Sequence, residues 1–274
     1  MIDQVIAIYT IIDDALKARD HWEDPRRTFS DAEVITTGLV AARFFGGHLT
    51  RAREFLSETG LMPQMLGESR FNRRWQALRD LVLTLFEQFG WALKELNQSA
   101  QYLLDSFPLE VCANIRIRRC RLVQGEDYRG YCAARRCYFY GFRVQVLTTA
   151  AGVPVEVAFL PGEANDTRGL SALPLVLAPG SEVFMDAGYT DYQSEDDALR
   201  GDGVHFAVGR KKNSTRRDVW PEYYFKKMTR HLVETVFSQI TTWFPKRIHA
   251  VTTEGLLLKT VLFIFAFMLD QAFI

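Results

Sequence analysis

The stretch Gln101–Phe107, QYLLDSF, decides how the rest of the chain reads. It is short, apolar and rich in aromatic and branched residues, the character of a buried strand. Asp105 stands near its end, where a carboxylate is costly unless something positive meets it. Two other segments repeat the pattern. Ser181–Tyr189, SEVFMDAGY, sets Asp186 behind Val183, Phe184 and Met185, and Thr229–Phe244, TRHLVETVFSQITTWF, sets Glu234 within an apolar helical pattern. Asp105, Asp186 and Glu234 are the candidates to meet around divalent metal. An acid at a strand end can also simply cap a turn. Asp166 in GEANDTRG and Asp191 are reserve candidates, better suited to capping.

The whole-chain totals leave this open. A length of 274 residues suits one large domain or two modest ones, with ample material for a core. The 33 basic residues balance 33 acidic ones, so local clusters must decide whether nucleic acid is a partner. Cys112, Cys120, Cys132 and Cys137 lack the paired spacing of common zinc sites and read as reduced cytosolic thiols. The N-terminus MIDQVIAIYTIIDDALKARD carries acids early and does not read as a signal peptide. The apolar run VLFIFAFML is bracketed by Lys259 and Asp270, too short to span a bilayer and suited to a buried core helix. A cytoplasmic protein without a membrane role is expected.

Residues 1–98 read as a helical domain. Ile2, Val5, Ile6, Tyr9, Ile12 and Leu16 fall at helical spacing, and Ser30 with Glu33 forms a capping-box signature. Thr50 is expected to cap a short helix, and Ser69 a longer one, SRFNRRWQALRDLVLTLFEQF. Short helices with tight breaks suggest a helix-turn-helix-like DNA-binding domain. Its third helix would expose Arg70, Arg73 and Arg74, either to DNA or as a solvated basic face.

Residues 99–274 change to strands. Asn114–Arg143 carries Arg116, Arg118, Arg119, Arg135 and Arg136 among tyrosines, a composition suited to phosphates and bases. Phe142–Thr148 and Val153–Phe159 alternate as a hairpin. His205–Val208 adds a fifth strand, and Arg210–Lys227 a second basic loop with Lys211 and Lys212. Strand, strand pair, helix, strand, helix, strand and final helix is a mixed α/β order. It predicts an RNase H-like mixed five-stranded sheet with flanking helices and a C-terminal core helix. The first and fourth strands would then lie side by side, with the Glu234 helix across the sheet.

Hydrolysis or transfer of a phosphodiester needs an activated oxygen nucleophile and a neutralised leaving oxygen, which two Mg²⁺ ions supply. Magnesium takes hard oxygen ligands, hence carboxylates. In the Glu234 helix, Leu232, Val233, Val236, Phe237, Ile240, Trp243 and Phe244 make the apolar stripe, and Arg230 shares the face of Glu234. Arg230 would hold a phosphate, orient Glu234 or form a surface pair.

The segments DSFPLEVC, RIRRCRLVQGEDYRGYCAARRCYFYGFRVQVL, FMDAGYTDY and RHLVETVFSQITTWFPKRIHAVTTEGLLLKTVLFIFAFML resemble a bacterial insertion-sequence DDE transposase. The resemblance is nearest to the insertion-sequence family numbered 982 and to the wider group with a Y-R-E-K signature. It implies the triad Asp105, Asp186 and Glu234 as catalytic and metal-binding residues. Arg230 and Glu234 match the centre of the signature, whereas Lys227 stands where Tyr is expected and Thr241 where Lys is expected. The resemblance further implies Mg²⁺, replaceable by Mn²⁺, and double-stranded DNA at element ends and target. It implies cleavage at the ends, joining of the 3′-hydroxyl to target, and a homodimer on DNA. The alternatives are a metal-dependent nuclease of the same fold without strand transfer, and an inactive DNA-binding derivative.

Overall fold

The structure, a computed structural model, describes every residue except 133–135, 219 and 246, and the side chains of 113–116 and 220–230 also lie outside the description. The chain forms two compact units, Met1–Gln88 with Thr242–His249 and Glu254–Ile274, and Phe89–Thr241 with Ala250–Thr253.

The first unit is helical. Helix α1 (Ile2–Ala18) buries Val5, Ile8, Ile12 and Leu16, one stripe at helical spacing. Ile2 and Ile6, on its flank, are exposed. Helix α2 (Asp31–Phe45) starts in the expected capping box: Glu33 N donates to Ser30 Oγ at 3.1 Å, and Ser30 N donates to the Glu33 carboxylate at 2.5 Å. Helix α3 (Leu49–Glu58) is capped at His48 rather than Thr50. The long helix expected from Ser69 is two: α4 (Glu68–Ala77) and α5 (Arg79–Leu96), broken at Leu78, whose φ of −91° and ψ of 5° leave the helical range. The break lets Phe71 and Trp75 on one side, and Val82, Leu85 and Phe86 on the other, all be buried. Gly38 of α2 is required by packing, since a Cβ there would lie 2.5 Å from the Trp75 ring.

The C-terminal helix α9 (Thr253–Phe273) belongs with these helices, not with the strands. Residues Val261 to Leu269 are all buried, so α9 needs neighbours on every side. Phe86 meets Phe265 edge-on at 5.8 Å, and Trp243 meets Phe267 at 5.2 Å. Asp270, the charged residue that follows this run, pairs with Arg43. The helix is long and apolar enough to cross a membrane, yet 67% of its apolar window is buried within the protein.

The second unit is built on one mixed sheet. Its strands are β1 (Gln101–Ala113), β2 (Arg129–Cys132), β3 (Cys137–Thr149), β4 (Pro154–Pro161), β5 (Glu182–Met185) and β6 (His205–Val208). β3 runs antiparallel to β1 and carries β2 and β4 in succession along its other edge. β5 joins β1 in parallel, and β6 joins β5 in parallel. The sheet therefore has six strands rather than five. The sixth, β2, comes from the segment read only as basic and aromatic.

Both faces of β4 are covered, which the alternation of its residues does not reveal. Glu156 is buried and its carboxylate accepts from Lys94 Nζ of α5 at 2.7 Å and from Leu175 N at 3.0 Å. Glu156 lies opposite Leu147 in the ladder and so on the same side of the sheet. On that face Tyr102, Leu104, Leu147, Met185, Tyr189 and Phe206 form the core together with Leu170 of α6 (Thr167–Ala172).

Candidate active site

Parallel pairing sets Leu104 of β1 beside Met185 of β5. The next residue along each strand direction is an acid, so Asp105, within β1, and Asp186, just past β5, lie side by side where β5 ends. Strand pleating puts them on the face of Leu103 and Phe184, opposite the Leu104–Met185 core. Asp105 is half-buried and Asp186 exposed. Each carboxylate accepts the backbone N–H of the residue that follows, Ser106 or Ala187, at 2.7 Å. Burial pushes Asp105 up to about 7, and the nearby Asp166 and Asp186 add to it; the Ser106 N–H and Arg143 act the other way.

Asp166 is the acid held in reserve. It precedes α6 but makes no side-chain capping bond there. Its Oδ1 instead accepts from Ser106 Oγ at 2.9 Å and from Arg143 Nη1 at 3.2 Å. Its Oδ2 occupies the space beside Gly188, where a Cβ would lie 2.6 Å away. Asp166, Arg143 and Ser106 thus tie β1, β3 and the loop before α6 to the turn after Asp186. Behind them the buried Tyr189 hydroxyl donates to Gln145 Oε1, and burial together with Asp105 and Asp166 holds that phenol well above its usual value. The sequence held a partial signal for this cluster: a lone arginine, Arg143, in the middle of an otherwise apolar strand.

Glu234 is elsewhere. It lies on α8 (Trp220–Thr242), whose buried stripe is Val233, Val236, Phe237 and Ile240. Val236 packs beneath the β3–β4 turn, 3.1 Å from where a Cβ on Gly152 would be. The Glu234 side chain is 58% exposed, with Oε2 3.9 Å from His231 Nδ1. Register thus brings Asp105 next to Asp186, and Glu234 is exposed on α8. Among the described residues no three carboxylates, imidazoles or thiols are gathered closely enough to hold one ion.

The basic candidates divide. Arg70 and Arg73 are exposed on α4. Arg74 points inward: it donates to Phe29 O, to Glu23 at 3.0 Å and to the buried Asp31. Those three arginines, with Arg26 and Arg27, line a cleft of about 430 Å³. Arg26 and Arg27 carry no helical or strand pattern that would single them out. Arg118, Arg119, Arg136, Lys211 and Lys212 are exposed. In the second basic loop, however, Arg210 makes a two-pronged pair with Glu195 at 2.7 and 2.6 Å, and Arg216 another with Asp196 at 2.8 Å. Both partners sit on or beside α7 (Tyr192–Asp197), so that loop is less positive than it reads. Arg135 and the side chains of Arg116 and Arg230 lie outside the described residues. Among the described residues no disulfide joins the cysteines, and burial and Cys120 raise the Cys112 thiol to about 11.

No curated protein and no solved structure matches the chain. Residues 97–248, more than half its length, match the family described as Transposase DDE domain. These bounds take in β1 with Asp105, β5 with Asp186 and α8 with Glu234, and the chain belongs to that family.

Proposed function

We propose that the protein is the DDE transposase of a bacterial insertion sequence, of the kind found in the family numbered 982. The observation that carries this reading is the parallel register of Leu104 with Met185, which sets Asp105 beside Asp186 inside the matched segment. The order β4–β3–β1–β5–β6, antiparallel on one side of β1 and parallel on the other, supports an RNase H-like sheet.

The donor set suits a hard divalent cation. Asp105 and Asp186 offer only carboxylate oxygens, the ligands magnesium prefers. Burial, with the charges of Asp166 and Asp186 adding to it, raises Asp105, and a bound cation would offset that cost of ionising it. Asp105 and Asp186 would hold Mg²⁺, with Mn²⁺ able to replace it, and Glu234, exposed on α8, would have to move toward them to serve as the third ligand. Bound as a pair, such ions stabilise both the attacking and the leaving oxygen of a phosphodiester displacement. The chain's own part is positional. Asp166 and Arg143 hold the turn after Asp186 against β1, and Tyr189 with Gln145 closes the wall behind it.

The helical first unit would bind the terminal inverted repeats, with Arg70 and Arg73 on phosphates. Arg116, Arg118, Arg119, Arg135, Arg136, Lys211, Lys212 and Arg230 would follow the duplex in the second unit. A homodimer would bring two ends together, in the cytoplasm.

The test is to incubate labelled element ends with the protein and Mg²⁺ or EDTA. Asp105→Asn, Asp186→Asn and Glu234→Gln should each abolish cutting while retaining DNA binding. A variant that still cuts removes its residue from the assignment. Scoring joined product beside nicked product separates a transposase from a nuclease of the same fold.

A further inference from the structure

A small cavity lies wholly within the first unit and uses none of the acids of β1 and β5. Gly46, Gly47 and His48 border it between α2 and α3, Arg247 and His249 border it before α9, and Lys259 and Phe263 border it from α9. Its volume is about 100 Å³. A water in the liquid takes roughly 30 Å³, so the space suits one tetrahedral oxyanion. Gly47, at φ +83°, keeps it open, because a Cβ there would sit 3.0 Å from the Phe263 ring.

The lining is one-sided in charge. It holds an ammonium, a guanidinium and two imidazoles, and no carboxylate. Lys259 Nζ donates to the backbone oxygen of His249 at 2.5 Å. Among the described residues no carboxylate pairs with it, and burial alone pushes its ammonium below the usual value. A cation drawn out of water is normally given a counter-charge, since one carbonyl does not offset its lost hydration. The adjoining N-terminus of α3 also lacks a side-chain cap, which leaves its first amides to favour negative charge.

We propose that this cavity binds a phosphate group, either as a free oxyanion or as one phosphate of a DNA backbone. The site stands whether or not the protein cuts DNA.

Thermal unfolding of the full chain, titrated with inorganic phosphate at constant ionic strength against a chloride control, tests it. The wild type should be stabilised saturably by phosphate and not by chloride. Lys259→Met should lose at least about tenfold in apparent phosphate affinity, a free-energy change of about 1.4 kcal/mol. Without phosphate the same variant should melt no lower than wild type, because it removes an uncompensated charge. Arg247→Ala, at an exposed position, should also weaken phosphate binding, while Lys259→Arg should retain it. No phosphate response in the wild type, an equal response to chloride, or an undiminished response in both Lys259→Met and Arg247→Ala overturns the proposal. Fluorescence anisotropy with a duplex of arbitrary sequence then names the source. About tenfold weaker binding by the two variants, with a shallower salt dependence, assigns a backbone phosphate. Unchanged duplex binding beside a lost phosphate response assigns a free oxyanion.

Discussion

A Cβ on Gly188 would lie 2.6 Å from Asp166 Oδ2. The Asp166 carboxylate cannot swing away freely, since its other oxygen is held by Ser106 and Arg143. Gly188→Ala should therefore push Asp166 off its partners and leave Arg143 half-buried without them. We expect a stability loss of about 1–3 kcal/mol and a marked fall in metal-dependent cutting. Gly201→Ala, where a Cβ meets nothing within 4 Å and φ, as at Gly188, lies outside the left-handed region, is the control for a glycine-to-alanine change without a clash. Equal cutting by Gly188→Ala and wild type would show that Asp166 plays no part.

Asp105 makes the fold sensitive to pH in an uncommon direction. Its carboxyl sits at about 7 in the folded chain against 3.8 for the ordinary group. The folded state thus holds this proton more tightly than the unfolded state, and stability falls as pH rises from near 4 to 7. Asp105→Asn stays neutral and escapes that cost. In metal-free urea unfolding it should exceed wild type by about 1–3 kcal/mol at pH 8, with the gap closing near pH 4. Added Mg²⁺ should narrow the gap at pH 8 by stabilising the wild type. Parallel pH profiles for the two proteins would contradict this account.

Arg74 and its neighbours on α4 should behave oppositely. Arg74→Ala leaves Asp31, 3% exposed in its side chain, short of a principal partner and should cost about 2–4 kcal/mol. Arg70→Ala and Arg73→Ala should change stability by less than about 0.5 kcal/mol. They should instead weaken duplex binding and lower its salt slope by about one each. Chemical unfolding and anisotropy titrations separate the two classes, and a stable Arg74→Ala would mean the internal network is dispensable.

Lys94 and Glu156 form a buried pair, each 6% exposed in its side chain. Lys94→Met strands the Glu156 carboxylate and should cost about 3–5 kcal/mol. The double variant Lys94→Met with Glu156→Leu should recover much of that loss, because both charges are gone. A double variant no better than the single would place the cost in the lost contact of the Lys94 ammonium with the Trp91 ring, 4.0 Å from its centroid.

The legible part of this protein was local. Ser30 and Glu33 form the capping box their spacing announces, and β3 and β4 pair as the expected hairpin. Asp105 and Asp186 come from neighbouring strands, but β1 runs on to Ala113, so Asp105 lies within its strand rather than near the end. Arg74 looked like its neighbours Arg70 and Arg73, because helical periodicity does not say that Asp31 will fold back beneath one of them. The burial of Glu156 was likewise not legible, since an alternating run does not say that both faces of its strand will be covered.

By itself the sequence determined the elements, through apolar periodicity and capping, and it marked which acids were out of place in apolar surroundings. Tertiary structure alone decided which acids meet. Asp166 reaches Ser106 across 60 residues of chain, whereas Glu234 remains exposed on its helix. It also decided that α9 joins the N-terminal helices. The physical reason is that burial and charge pairing depend on which surfaces the packed chain brings together, and a linear pattern records only one side of each contact.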